Sequence, residues 1–152
     1  MIKYINSVII LIVLILLGFI IFNKFFKYTN DIPTFSYTKI IENSNFTNKH
    51  IPKNKETVIV YVSTKCGSCE NTVKYVNKNI DVNKNYIIVT SEKQKQISEE
   101  FFKKFSLNRN IILLNDENNY FSKDFKLGIS VTYPTIFVFD KGNKLINVSN
   151  NF

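Results

Sequence analysis

Alanine and tryptophan are absent from all 152 residues, and glycine occurs only four times. Isoleucine, asparagine, lysine, tyrosine and phenylalanine take their place. Their codons are A/T-rich, so the bias reads as genomic and excludes no fold. Histidine occurs once, as His50, beside lysines and Pro52, where a surface role is the plain reading. One histidine, two cysteines and scattered carboxylates are poor material for a zinc half-site, which needs four ligands. Long basic runs are missing too. The net charge of +8 is spread thinly, and Lys49, Lys53 and Lys55 form a short cluster without interleaved aromatics. That pattern describes a solvated face and no nucleic-acid surface, while remaining compatible with mild attraction to an anionic membrane. No internal repeat or low-complexity tract occurs, and the length suits one domain plus accessories.

The N-terminal region lacks a cleavage site. Residues 8–22 are apolar apart from Gly18. As a helix that run spans about 22 Å, short of the ~30 Å hydrocarbon core, whereas residues 5–26 span about 33 Å. Asn6, Ser7, Asn23 and Lys24 then fall near the interfaces, where Lys24 can snorkel outward. A cleaved signal peptide, the alternative, ends in small residues; this segment ends in Ile20-Ile21-Phe22-Asn23-Lys24-Phe25-Phe26. No cysteine follows it to carry a lipid. The expectation is an uncleaved signal-anchor, a transmembrane helix over residues 1–26, then a polar stalk at 27–32 and a folded domain at 33–152. Lys3 and the amino terminus balance Lys24 and Lys27, so charge does not set the orientation.

Hydrophobic patterning divides the remainder. Residues 33–48 read as a short strand or hairpin. Residues 57–63 form a continuous β-branched and aromatic run, fitting a strand buried on both faces. Cys69, Val73, Val76 and Ile80 recur at helical spacing, with Glu70, Asn71, Lys74, Asn77 and Lys78 on the polar side. Tyr86-Ile87-Ile88-Val89 is a second buried strand. Ser91 and Gln94 suggest a capping box before a helix whose apolar stripe is Ile97, Phe101 and Phe105. Strands follow at 110–114 and 135–139, with a helical turn near 121–126 between them. Asp140-Lys141-Gly142-Asn143 turns the chain into an antiparallel partner at 144–148. The alternation implies an α/β fold, a central mixed β-sheet flanked by helices.

The only two cysteines stand two residues apart, in Cys66-Gly67-Ser68-Cys69, where a strand gives way to a helix. Unpaired N–H groups at a helix start favour the thiolate, the attacking species, so Cys66 is the candidate nucleophile. Lys65 adds a neighbouring cation that tunes it in the same direction. Cys69, one turn in and on the apolar stripe, is placed to resolve a mixed disulfide. A purely structural disulfide is the alternative, but it closes too small a loop to stabilise much.

Further residues resemble the thioredoxin superfamily. Tyr133-Pro134-Thr135, followed by Ile136-Phe137-Val138-Phe139-Asp140-Lys141-Gly142-Asn143-Lys144-Leu145, is similar to that family's cis-proline strand and closing hairpin. The strand at 110–114 with the turn after it resembles the insertion of the membrane-anchored TlpA/ResA-type and AhpC/TSA-like members, and Pro33-Thr34-Phe35 resembles the opening of those domains. The resemblance implies a thioredoxin-like fold and a cis bond at Pro134 facing Cys66, with the Tyr133 backbone pairing an extended substrate. A trans proline at a strand start is the alternative. It further implies a thiol–disulfide oxidoreductase on the extracytoplasmic side of a membrane. Such an enzyme uses its redox-active disulfide and no added cofactor, acts on cysteine-containing proteins, and works as a reductant supplied by a membrane thiol or electron donor. The pattern departs at Val60, where thioredoxin has a buried aspartate, at Lys65, where it has tryptophan, and after the hairpin, where a C-terminal helix is expected and none is read. Two other functions compete. In a peroxiredoxin-like peroxidase Cys66 would attack peroxide. Ser63 stands three residues before it, as that family's Thr/Ser does, but Ile59 replaces the preceding proline and the only arginine is Arg109. A thioredoxin-fold scaffold at the membrane would not need the dithiol.

Overall fold

The structure, a computed structural model, describes residues 9–18, 28–128 and 131–152. One seven-stranded mixed sheet organises the domain: β1 (Ser36–Lys39), β2 (Asn45–Thr47), β3 (Glu56–Val62), β4 (Lys84–Thr90), β5 (Ile111–Asn115), β6 (Thr135–Phe139) and β7 (Leu145–Ser149). Its order is β2-β1-β5-β4-β3-β6-β7. Strands β3, β4 and β5 run parallel, and every other pairing is antiparallel. The helices are α1 (Gly67–Lys78), α2 (Lys95–Lys103) and the single turn α3 (Phe121–Asp124).

The near-continuous apolar runs of β3 and β4 follow from burial on both faces. Val58, Val60 and Val62 of β3 pack with Cys69, Val73 and Val76 of α1 and with Phe101 and Phe102 of α2. The alternate residues Ile59 and Tyr61 join Phe35, Tyr37, Phe121, Phe125, Phe137 and Phe139 on the opposite face. Among the described residues no helix longer than the single turn α3 covers that second face, and aromatic rings supply the missing volume. Phe121 stacks on both Tyr61 and Phe125 with ring centroids 4.0 Å apart. Fully burying one such ring contributes about 1.5–3 kcal/mol.

The hairpin read at 33–48 is present as β1 and β2. Helix α2, by contrast, does not begin at a Ser91 capping box. It starts at Lys95, after Gln94, whose side chain makes no capping bond. The reason is that Ser91, one residue past β4, is still tied to β3, its N–H donating to the Val62 carbonyl at 3.1 Å. Of the expected stripe, Phe101 is buried and Phe105 packs partly buried against the same core, whereas Ile97 is exposed and Ser98 and Phe102 are buried instead.

Residues 9–18 are helical and exposed. Ten residues rise about 15 Å, half a hydrocarbon core. Among the described residues no helix is long and apolar enough to cross a membrane, so the expected transmembrane helix is not found there; residues 1–8 and 19–26 of that span lie outside the described residues. The stretch expected as a stalk is held to the domain from Tyr28 onward. Ile32 N–H donates to Asn143 O at 3.1 Å, Leu145 N–H to Asn30 O at 2.8 Å, and Lys144 pairs with Asp31 at 2.6 Å. Among the described residues no helix follows β7. The register puts Asn147 beside Val138 and Ser149 beside Ile136, so β7 turns polar side chains to the α1 side.

Candidate redox site

Strand β3 ends at Val62, and four residues carry the chain to α1. Cys66 is the N-cap of that helix, in extended backbone conformation, and its Sγ accepts the Cys69 N–H at 3.2 Å. The same N–H also donates to the Cys66 carbonyl at 3.1 Å, so the N-cap residue holds this first-turn donor with both sulfur and backbone. Cys66 and Cys69 are joined as a disulfide, their Cα atoms 5.2 Å apart. The two sulfurs differ in access: Cys66 is half-buried at the surface, whereas Cys69 is fully buried among Val60, Val62, Val73 and Ile136. An incoming sulfur meets Cys66 first.

The second wall is the β6 approach. The Tyr133–Pro134 peptide is cis, as the resemblance implied, and the Tyr133 carbonyl lies 3.6 Å from Cys66 Sγ. Pro134 is buried and Tyr133 half-buried. Sequence reading therefore placed Cys66, Cys69, Tyr133 and Pro134 together, and the fold brings them together. Lys65 is adjacent but exposed, and its described bond is through the backbone, N–H to Ser63 Oγ at 3.4 Å. His50 is remote: its Nδ1 accepts the Thr47 N–H at 3.0 Å and closes the turn Asn48–His50. Arg109 precedes β5, at the opposite end of the parallel strands from Cys66, which follows β3. Five to seven strand residues separate those ends, about 17–23 Å, so no arginine reaches the dithiol to bind a peroxide.

Three neighbours were not singled out from the sequence. Ser68 Oγ lies 3.1 Å from Cys66 Sγ. Thr64, in the turn before Cys66, donates its N–H and hydroxyl to Glu92 Oε1 at 3.1 and 2.6 Å. Tyr61, beneath Tyr133, donates to Asp116 Oδ2 at 3.3 Å, with the two tyrosine rings 5.2 Å apart. Burial pushes the Asp116 carboxyl up, against the lowering effect of hydrogen bonds from the Phe121 and Tyr120 amides and the Tyr61 hydroxyl. Burial likewise pushes the Tyr61 hydroxyl far up, so it stays a donor. Glu92 and Asp116 each follow the carboxyl end of a parallel strand, the edge where open α/β sheets gather their sites, and that position was the available signal.

Solved structures with this fold include the thioredoxin domain of a thiol-disulfide oxidoreductase from Bacteroides vulgatus (TM-score 0.66, 11% identity, covering 83% of this chain and 90% of that one). A secreted Mycobacterium tuberculosis disulfide oxidoreductase is also similar (0.60, 15% identity, 78% and 84%). So is a peroxiredoxin-like protein from Aquifex aeolicus (0.65, 17% identity, 82% and 76%). At these identities the likeness is one of fold. No curated protein matches the sequence. The Redoxin family profile matches residues 27–151, from the stretch clamped on the β6–β7 turn through the dithiol to the end of the sheet. That match takes in the whole sheet and both walls of the disulfide, and the chain belongs to the Redoxin family.

Proposed function

We propose that this protein is a membrane-anchored thiol–disulfide oxidoreductase that reduces disulfides in other proteins outside the cytoplasm. The observation that carries the reading is the Cys66–Cys69 disulfide itself, with one sulfur accessible at a helix N-cap and the other buried behind it. In the reduced protein, Cys66 attacks as the thiolate, favoured by the helix N-terminus. It bonds to one sulfur of the substrate disulfide, and the other leaves as a thiolate that takes up a proton. The apolar surroundings keep Cys69 protonated until that mixed disulfide has formed. Cys69 then gives up its proton and attacks Cys66 Sγ, and the second substrate sulfur departs. Two electrons pass to the substrate, whose two departing sulfurs take up the proton released by Cys69 and one from water, leaving the disulfide seen here. A membrane thiol donor returns the protein to the dithiol by the reverse exchange.

The Tyr133 carbonyl beside Cys66 offers an acceptor to the backbone of an extended substrate, which supports a protein and not a small-molecule disulfide. The apolar run at residues 8–22 supports anchoring. Replacement of Cys69 by serine tests the reading in membranes of the source cell: mixed disulfides should accumulate on Cys66 and vanish on reduction. A Cys69→Ser protein that traps no partner would sink it. The direction is read from the dithiol potential, with about −270 mV marking a reductant and about −120 mV an oxidant.

A further inference from the structure

Glu92 stands just beyond β4 and takes both polar hydrogens of Thr64 on one carboxylate oxygen, at 3.1 Å from N and 2.6 Å from Oγ1. Thr64 is two residues ahead of Cys66, in a turn closed by Cys66 N–H donating to Ser63 O at 3.2 Å. Glu92 is itself held from behind. Its backbone carbonyl accepts Asn115 Nδ2 at 3.0 Å. Asn115 Oδ1 in turn lies 2.9 Å from Thr90 Oγ1 and 2.6 Å from Ser98 Oγ, and those two hydroxyls are 2.7 Å apart. Thr90, Ser98 and Asn115 are all buried. Buried polar side chains destabilise a core unless they satisfy one another, and a satisfied cluster is rigid. This cluster links β4, α2 and β5, and Asn115 passes its rigidity to Glu92.

Among the described residues no lysine, arginine or histidine nitrogen lies within 4 Å of the Glu92 carboxylate; its cationic chain neighbours, Lys93 beside it and Lys65 between Thr64 and Cys66, are both exposed to solvent. Glu92 Oε1 touches Thr64, and from Thr64 to Cys66 the chain spans at most about 7 Å between Cα atoms. With that contact and the cysteine side chain, the carboxylate lies within roughly 12 Å of the sulfur, a little beyond the ~8 Å screening length at physiological salt. A fixed negative charge there opposes ionisation of the Cys66 thiol, the reverse of the helix N-terminus.

Resting on the oxidoreductase reading above, we infer that Glu92 is a positioning residue for the redox centre. It clamps the turn that delivers Cys66, and its charge restrains the reactivity of that sulfur. The helix start makes Cys66 nucleophilic, and Glu92 sets how far that goes.

Glu92→Gln separates the two effects, because it keeps an acceptor oxygen for Thr64 and removes the charge. The full chain is reduced, and the rate of Cys66 alkylation is followed against pH for wild type, Glu92→Gln and Glu92→Ala. In Glu92→Gln the midpoint should move to lower pH, and alkylation below the wild-type midpoint should rise roughly two- to three-fold, the range for one unit charge at about 12 Å in an effective dielectric between that of water and half of it. Glu92→Ala should show the same displacement together with slower disulfide exchange with a peptide disulfide, since the turn is then unclamped. A purely structural role for Glu92 would leave the Glu92→Gln midpoint unmoved. Wild-type midpoints in Glu92→Gln overturn the inference, even if Glu92→Ala fails to fold. Alkylation needs no protein partner, so this result stands apart from the trapping experiment.

Discussion

The Tyr61 hydroxyl donates to Oδ2 of Asp116 at 3.3 Å, inside the sheet face that lies away from α1. The same carboxylate accepts the Tyr120 and Phe121 amides at 2.9 Å each, so it caps α3 and orients Tyr61 together. Tyr61 pairs with Thr135 across β3 and β6, and its ring lies against Tyr133. The carbonyl that faces Cys66 is thus backed by a ring whose orientation is fixed by a buried acid.

Tyr61→Phe should destabilise the fold by about 1–3 kcal/mol, the cost of leaving a buried acceptor short of a donor. Urea unfolding measures it. Disulfide exchange with a peptide substrate should weaken through KM more than kcat, because the Tyr133 backbone and not the sulfur is disturbed. Unchanged stability and KM would remove Tyr61 from the support of the site.

Asp116 makes stability depend on pH in a definite sense. Its carboxyl is raised, by burial first, so the folded state retains a proton that the unfolded chain has already released. Stability then falls as pH climbs from the ordinary carboxylate range through the raised value. Wild type should lose stability relative to Asp116→Asn as pH rises above about 4, the ordinary carboxylate range. Parallel curves for the two proteins, from thermal unfolding at a series of pH values, would contradict this.

Ser68→Ala removes the hydroxyl 3.1 Å from Cys66 Sγ. A hydrogen bond to a thiolate stabilises it, so the variant should ionise at higher pH. The displacement should be up to about one pH unit, the equivalent of a ~1.4 kcal/mol bond. Alkylation of the reduced protein against pH reads it directly. Movement to lower pH would mean that Ser68 does not donate to the sulfur.

Phe121→Ala opens a hole in a ring stack that has a single turn of helix above it. A loss of about 3–5 kcal/mol is expected by denaturant unfolding. His50→Ala serves as its counterpart: about 0.5–2 kcal/mol from a lost cap, and no change in disulfide exchange.

The sequence was most legible where one face of a repeating element had to be buried. The runs at 57–63 and 86–89 could only be central strands, and Cys69, Val73 and Val76 had to share a buried helix face. Cys66, Cys69, Tyr133 and Pro134 were readable because motif spacing carries them. The start of α2 was not, since Ser91 and Gln94 satisfy the capping pattern locally while the Ser91 N–H is claimed by the Val62 carbonyl. Glu92 and Asp116 were missed for a different reason. Each acts on a residue far away in sequence, 28 positions for Thr64 and 55 for Tyr61, and no local pattern announces such a bond. Lys65 was favoured by adjacency in sequence, but the carboxylate clamping the turn comes from another strand.

The clamp between residues 28–32 and the β6–β7 turn has a mechanical consequence. Because the chain is fastened to the domain from Tyr28 onward, only two Cα steps separate the domain from residue 26, the end of the proposed span. Two steps reach no more than about 7 Å. With the N-terminal segment held in a bilayer, as proposed, the dithiol patrols a shell bounded by that length and the domain's own width. Clients are then chosen by where their cysteines stand above the membrane before any side chain of theirs is read.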